Sequence, residues 1–214
     1  MDNIWLESAV EAYRKYFGDT ANIIIDIGTR DGDDAEYFRQ KLNGKKIYAF
    51  DANPLAVSKT KKRYPNFNVI ESAVGSFNGQ TSFTKIISEN IDQAGCSSME
   101  VVHEWDNVEY EKILTPITRL DSFLAEQEMS GVVIDIIKID TEGFSWEVLM
   151  GMGDVLKNVR LMHVETETFD RHPGHKNNRQ IADYLNNNKF ICVDRSYEWG
   201  PLIEDQVWIN QRFM

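Results

Sequence analysis

Ile23-Ile24-Ile25-Asp26-Ile27-Gly28-Thr29-Arg30-Asp31-Gly32 is the stretch on which the reading of this chain turns. Its first five residues are a β-branched run broken by one acid, the composition of a short strand buried on both faces. Gly28 and Gly32 follow at once, and Asp33 to Leu42, closed by Gly44, reads as a helix. In open α/β sheets such a strand, glycine turn and helix start form a ligand corner at the carboxyl end of the strand. Glycines allow a sharp turn and a close backbone approach to a ligand. The free N–H groups of the helix start favour a negative group.

The spacing D-x-G-x-x-x-G narrows the ligand. A dinucleotide corner spells G-x-G-x-x-G, which brings backbone against a pyrophosphate. Here Asp26 replaces the first glycine, and a carboxylate in that place repels a pyrophosphate. It suits a ligand with an ammonium group, such as the methionine end of S-adenosylmethionine, directly or through water. Asp51 ends a second strand, Lys46–Asp51, and is placed to accept hydrogen bonds from two ribose hydroxyls. That acid is shared with NAD sites. Taken alone, the two glycines fit a mere tight turn equally well; strand, loop and terminal acid together favour a cofactor site.

Outward from this corner the pattern is regular. Ile4, Ala9, Ala12, Tyr13, Tyr16 and Phe17 recur at helical spacing, giving an N-terminal helix within residues 1–20 that ends at Gly18. A basic helix runs from Pro54 through Arg63, and Asn68 to Glu71 reads as a third strand. Val132 to Ile139 is the most apolar strand candidate and belongs near the sheet centre. Further strands are expected at Val159 to Val164, Phe190 to Val193 and Gln206 to Ile209, with a helix from Asn178 to Asn187. Strand–helix alternation implies a doubly wound α/β sheet in one domain, residues 1–214. Between Ser76 and Arg119 the rhythm fails, and this segment reads as an irregular insertion, with Asp92 to Trp105 as a candidate lid over an acceptor.

Composition sets bounds. The chain has 214 residues, 42% hydrophobic and 27% charged, which suits one folded domain. A net charge of −11 and a pI near 4.8 oppose phosphate backbones and anionic lipid, so neither nucleic acid nor membrane is an expected partner. The same acidity also serves plain solubility. Cys96 and Cys192 form neither a C-x-x-C pair nor a zinc spacing, which fits a reduced compartment. The chain starts on an acid, and no apolar run approaches the roughly 18 residues a membrane span needs. A cytoplasmic enzyme is expected; oligomeric state is left open.

Three further stretches carry a family resemblance: Ile134-Asp135-Ile136-Ile137-Lys138-Ile139-Asp140-Thr141-Glu142-Gly143, Tyr48-Ala49-Phe50-Asp51-Ala52-Asn53-Pro54 and Thr118-Arg119-Leu120-Asp121. With Cys96-Ser97-Ser98-Met99 and His163-Val164-Glu165, they resemble the FkbM family of methyltransferases, in order, from Ile23 to Glu165. Asp51 stands where the family usually has glutamate, and Arg119 interrupts a Thr-Leu-Asp spelling. The resemblance implies a class I, Rossmann-like sheet of about seven strands, the last antiparallel, with an insertion after the third. It also implies S-adenosylmethionine as cofactor and a hydroxyl acceptor, often on a sugar or small metabolite. The expected cofactor residues are Asp26, Gly28, Thr29, Gly32, Asp51, Ala52, Ser72, Ala73 and Asp140.

A neutral hydroxyl is a poor nucleophile, so methylation of oxygen gains from a base or a metal beside it. Asp140, His163 and Glu165, at the ends of the fourth and fifth strands, are the candidate catalytic groups. Period-2 alternation sets Lys138 and Asp140 on one face, where Lys138 is read as a structural ion pair rather than a catalytic amine. His163 has a suitable unperturbed pKa, but a histidine within an apolar strand is more often a hydrogen-bonded core residue. Glu142 is read as a site acid or as the cap of a helix near Gly143. His172 and His175 form a candidate acceptor-side wall; Trp105, Trp146 and Trp199 are candidate pocket aromatics, with core packing preferred for Trp146. A divalent cation is compatible with these acids, and a metal-free site is the expectation. Two rival readings are an NAD-dependent oxidoreductase and a non-catalytic cofactor-binding partner protein.

Overall fold

The computed structural model describes residues 4–87, 97, 109–169, 175–197 and 200–214. The chain opens with α1 (Ile4–Phe17), β1 (Ile23–Ile27), α2 (Asp33–Lys41), β2 (Lys46–Asp51), α3 (Pro54–Arg63) and β3 (Asn68–Glu71). Then come β4 (Ala73–Val74), β5 (Gly79–Ile87) and β6 (Glu109–Thr118). The remainder is α4 (Leu120–Glu126), β7 (Ile134–Ile139), α5 (Ser145–Met152), a 3₁₀ turn, β8 (Val159–Glu167), α6 (Asn178–Asn187), β9 (Phe190–Ser196) and β10 (Ile203–Asn210).

Seven strands form the main sheet in the order β3-β2-β1-β7-β8-β10-β9. All pairs from β3 to β8 are parallel, and β10 runs antiparallel to β8 and β9. This is the class I methyltransferase arrangement, with its reversed final strand. The strand order changes direction between β1 and β7, and open α/β sheets place their ligand crevice at such a switch point.

Alternation along the strands sorts the core into two layers. Ile24, Ile47, Ile136, Leu161, Val207 and Ile209 pack under α1 and α2 with Leu6, Val10, Tyr13 and Phe38. Ile25, Ile27, Ile137, Ile139, Met162 and Val164 face Leu120, Leu124, Val148, Leu149, Ile181 and Leu185 on the other side. Asp26, Lys138 and His163 therefore fall on the α1/α2 face, and the sheet register sets them side by side. At the opposite end of the sheet, Asp135 is buried and receives Tyr13 Oη at 2.6 Å, the backbone N–H groups of Asn22 and Ile23, and Arg160. This knot ties α1 to the sheet. A capping box at Asn177 and Gln180 starts α6 at the expected residue.

The structure corrects several boundaries. Val132 lies outside the central strand, exposed in a turn where its N–H meets the Met129 carbonyl. β8 runs on to Glu167 because β10 pairs with it as far as Ile203↔Glu167. The larger correction is in the segment from Ser76 to Arg119. It is not irregular throughout, since β5 and β6 pair antiparallel over nine positions, from Gly79↔Ile117 to Ile87↔Glu109. With β4 they make a second sheet, ordered β4-β6-β5. Its strands read as polar because one face meets solvent; the other packs Phe83 and Ile117 against Ala52, Ala73 and Phe144. No described helix is long and apolar enough to cross a membrane.

Candidate active site

The glycine corner is shaped by the protein's own backbone. Gly28 has φ +82°, and a Cβ there would fall 1.7 Å from the Asp140 carbonyl oxygen. A Cβ on Gly32, φ +83°, would meet Thr60 and Tyr64 of the α3 end at 2.8 Å. Both glycines are thus required by packing of the loop on β7 and α3, a constraint that the spacing alone does not reveal. Gly28 and Thr29 donate their N–H groups to the Phe50 carbonyl at 2.9 and 3.0 Å, and Asp140 donates its own to Ile27 at 2.9 Å. The ends of β1, β2 and β7 are stitched into one rigid lip.

Asp51 closes that lip. Its Oδ2 accepts the Arg30 N–H at 2.9 Å and its Oδ1 the Asn53 N–H at 2.8 Å, so the shorter acid has a fixed orientation. Burial pushes its carboxyl up to about 7, against those two donors, with Asp26 and Asp140 adding to the rise. Asp26 is 1% exposed and accepts the Thr29 hydroxyl at 2.6 Å through Oδ2. Its Oδ1 has no hydrogen-bond partner among the described residues. Burial raises Asp26 to about 6, opposed by Lys138.

Lys138 is buried and salt-bridged to Asp140 at 2.8 Å and to Asp34, in the first turn of α2, at 2.9 Å. Burial opposes its charge, but Asp140, Asp34 and Asp26 outweigh it and hold the amine well above the ordinary lysine range. The ion-pair reading stands, with a second acid the sequence reading missed. The only signal for Asp34 is an acid in the first turn of a helix opposite a strand lysine, a pattern that needs the register to be interpretable.

Ala52 and Ala73 sit in the core beneath the small sheet. Ser72 is buried, and its hydroxyl donates to the Ala73 and Pro116 carbonyls at 2.8 and 3.2 Å. These three side chains hold the second sheet onto the corner. Arg119, the interruption in the motif, joins Asp121 through Nε at 2.9 Å and donates to the Ser76 carbonyl at 2.9 Å. It ties the insertion to α4.

On the other side of the crevice stand the acids of β7 and β8. Asp140, Glu142 and Glu165 each bring a carboxylate oxygen within 4.8 Å of the others. Glu142 has φ +52° in the turn after β7. It does not cap a helix, because α5 begins at Ser145 behind Phe144. Ser145 donates its hydroxyl to the Glu165 carbonyl at 2.8 Å, fixing α5 to β8. Burial, and then Asp140, Glu142, Glu167 and Asp205, raise Glu165 well above the usual carboxyl range. His163 lies one row deeper, 2% exposed, with Nε2 3.9 Å from Asp205. His175 is buried against Glu167 at 3.1 Å. Trp146 packs edge-on to Tyr184 beside the core, as expected. Ser97 is buried, its hydroxyl accepting the Ile86 N–H at 2.9 Å. Cys96, Ser98, Met99, the rest of the candidate lid to Trp105, His172 and Trp199 lie outside the described residues.

Against known proteins, a family model described as the methyltransferase FkbM domain matches residues 26–192. A curated relative, the 2-O-methyltransferase NoeI of Sinorhizobium fredii, is 25% identical over 173 residues, covering 76% of this chain and 70% of its own. Among solved structures, the N-methyltransferase NodS of Bradyrhizobium japonicum superposes with a TM-score of 0.52 at 10% identity, over 98% of both chains. M. capricolum TrmK, solved with S-adenosylhomocysteine, gives 0.51 at 12% identity, over 94% of this chain and 67% of its own. The two structural likenesses speak for the fold alone.

Proposed function

Because the chain belongs to the FkbM methyltransferase family, we propose that it moves the methyl group of S-adenosylmethionine to a hydroxyl oxygen of a saccharide or similar small metabolite. The observation that carries this reading is the division of the crevice at the sheet's switch point. One side ends in a fixed carboxylate, Asp51, over a buried orphan oxygen, Asp26 Oδ1; the other ends in the acids of β7 and β8. The residues fit the cofactor. Asp26 Oδ1 needs a donor, which an ammonium group supplies, and Asp51 retains lone pairs for ribose hydroxyls. Gly28, Thr29 and Gly32 shape the wall between them, and Ala52, Ser72 and Ala73 support its outer edge.

When bound, the cofactor supplies a sulfonium methyl that departs to a nucleophile in line with it. The protein's part is alignment, exclusion of water and handling of the acceptor's proton. Asp140 stands at the boundary of the two halves, with Lys138 fixing one of its oxygens and the lip fixing its backbone. We assign it the orienting contact between cofactor and acceptor. Glu165, buried at the end of β8 with its carboxylate beside those of Asp140 and Glu142, is assigned to the acceptor side of the crevice. His163, a row deeper and buried, is assigned a supporting role beside Asp205. Oxygen is favoured over nitrogen as acceptor because a curated relative is a 2-O-methyltransferase, and the saccharide follows from the family resemblance.

Titration calorimetry with S-adenosylhomocysteine and with NAD, followed by transfer of labelled methyl to oligosaccharides, tests this reading. Binding of the first ligand only and label on a sugar oxygen are expected. Binding of NAD, label on nitrogen, or binding with no transfer to any hydroxyl would reject it; the last outcome would leave a cofactor-binding partner protein.

A further inference from the structure

The convergence of Asp140, Glu142 and Glu165 asks for something the protein does not provide. Acidic clusters are common without a ligand, so proximity within 4.8 Å is not enough. A second observation sets this one apart. Glu165 is only 7% exposed, and its Oε1 has no hydrogen-bond partner among the described residues, although its carboxylate points into the cluster. A buried carboxylate oxygen is normally satisfied by a donor or a cation. Lys138 is already engaged with Asp34 and with Oδ2 of Asp140.

We propose that Asp140, Glu142 and Glu165 bind one divalent cation of the hard, oxygen-preferring kind, Mg²⁺ or Mn²⁺. An all-carboxylate set selects that class over zinc or copper, which favour imidazole and thiolate. Such ions take about six oxygen ligands, so three side chains leave open positions for water and for an acceptor hydroxyl. The site departs from the metal-free expectation drawn from sequence, and its role in turnover rests on the O-methylation reading above. The cation stabilises negative charge on the acceptor oxygen. The O–H bond breaks with its proton passing to solvent, the new O–CH₃ bond forms as S–CH₃ breaks, and the sulfur leaves as a neutral thioether. The trio then acts as ligands, with an acceptor oxygen on the fourth side.

Mn²⁺ titrated into chelator-treated protein saturated with S-adenosylhomocysteine, with free ion followed by electron paramagnetic resonance, tests the site without turnover. One Mn²⁺ per chain, displaced by excess Mg²⁺, is expected. Glu165→Gln and Glu142→Gln should each weaken it at least tenfold while S-adenosylhomocysteine affinity stays within twofold. Should Glu165→Gln fail to fold, the less buried Glu142→Gln gives the same measurement. No stoichiometric uptake by protein that binds S-adenosylhomocysteine, or unchanged affinity in the folded variants, overturns the site and leaves methyl transfer standing. Mn²⁺ bound and weakened as expected, without methylation of any hydroxyl, upholds the site and rejects only the reaction.

Discussion

Gly28→Ala is the sharpest perturbation of the lip. Its Cβ would sit 1.7 Å from the Asp140 carbonyl oxygen and 2.8 Å from the carbonyl carbon. Carbon and oxygen normally approach no closer than about 3.3 Å, so the ends of β1 and β7 must part by more than ~1.5 Å. That displacement breaks the adjacent Asp140 N–H bond to Ile27, now 2.9 Å. A left-handed φ costs an alanine about 1–2 kcal/mol; the bond adds about 1 kcal/mol and the forced separation about 1–3 kcal/mol. Gly131→Ala is the control, because Gly131 also has a left-handed φ, +77°, but nothing within 4 Å of the added methyl. It bears only the conformational cost. At about 2–4 °C per kcal/mol for a chain of this size, calorimetry should place the Tm of Gly28→Ala at least ~4 °C below that of Gly131→Ala. Titration of each variant with S-adenosylhomocysteine should show the loss of affinity for Gly28→Ala only. Equal Tm losses, or equal affinities, would refute the claim that this glycine joins cofactor loop to catalytic strand.

Other outcomes follow from the charges. Asp51→Asn should weaken S-adenosylhomocysteine binding about 10–100-fold by calorimetry, as expected for losing charge-assisted hydrogen bonds. Since Asp51 titrates near 7 in the free protein and ribose hydroxyls favour its ionised form, wild-type affinity should fall as pH drops below 7. The fall should be no steeper than tenfold per unit, and the Asn variant should be flat; a sloped variant would assign the effect elsewhere. Asp26 and Asp51 both titrate above their unfolded value of 3.8, so between about pH 4 and 7 the folded chain binds more protons. Their stabilising contribution is present at the acid end of that window and is lost as pH rises through it. Urea unfolding of the free protein should therefore show greater stability at about pH 5.5 than at about pH 8, the opposite order counting against the assignment. Lys138→Met leaves Asp34 and Asp140 without their shared cation and should cost about 3–5 kcal/mol in the same assay. A loss below 1 kcal/mol would show the bridge to be dispensable.

The main sheet was legible because its strands are short, apolar and separated by clear helix starts and stops, as at Pro54, Gly18 and Asn178. Asp51 and the Lys138–Asp140 pair could be placed by counting along a strand. What counting does not reach is contact between elements distant in sequence. Asp34 meets Lys138 through helix docking, and Glu165 meets Asp140 and Glu142 through strand register. β5 and β6 escaped notice because Gly79–Ile87 alternates weakly and Leu114 and Ile87 face solvent, which blurs the usual period. The φ freedom of Gly28 is legible in sequence, but the packing of its Cα against the Asp140 carbonyl is not.

The second sheet meets the cofactor lip through Ala73 and Val74 alongside β6, and through the Phe83–Ile117–Phe144 cluster over Ala52. Ala73, Val74 and Ile117 lie at one end of the β5–β6 ladder, and Ile87 pairs with Glu109 at the other. A substitution at the Ile87↔Glu109 end is thus separated from the cofactor lip by the length of the ladder.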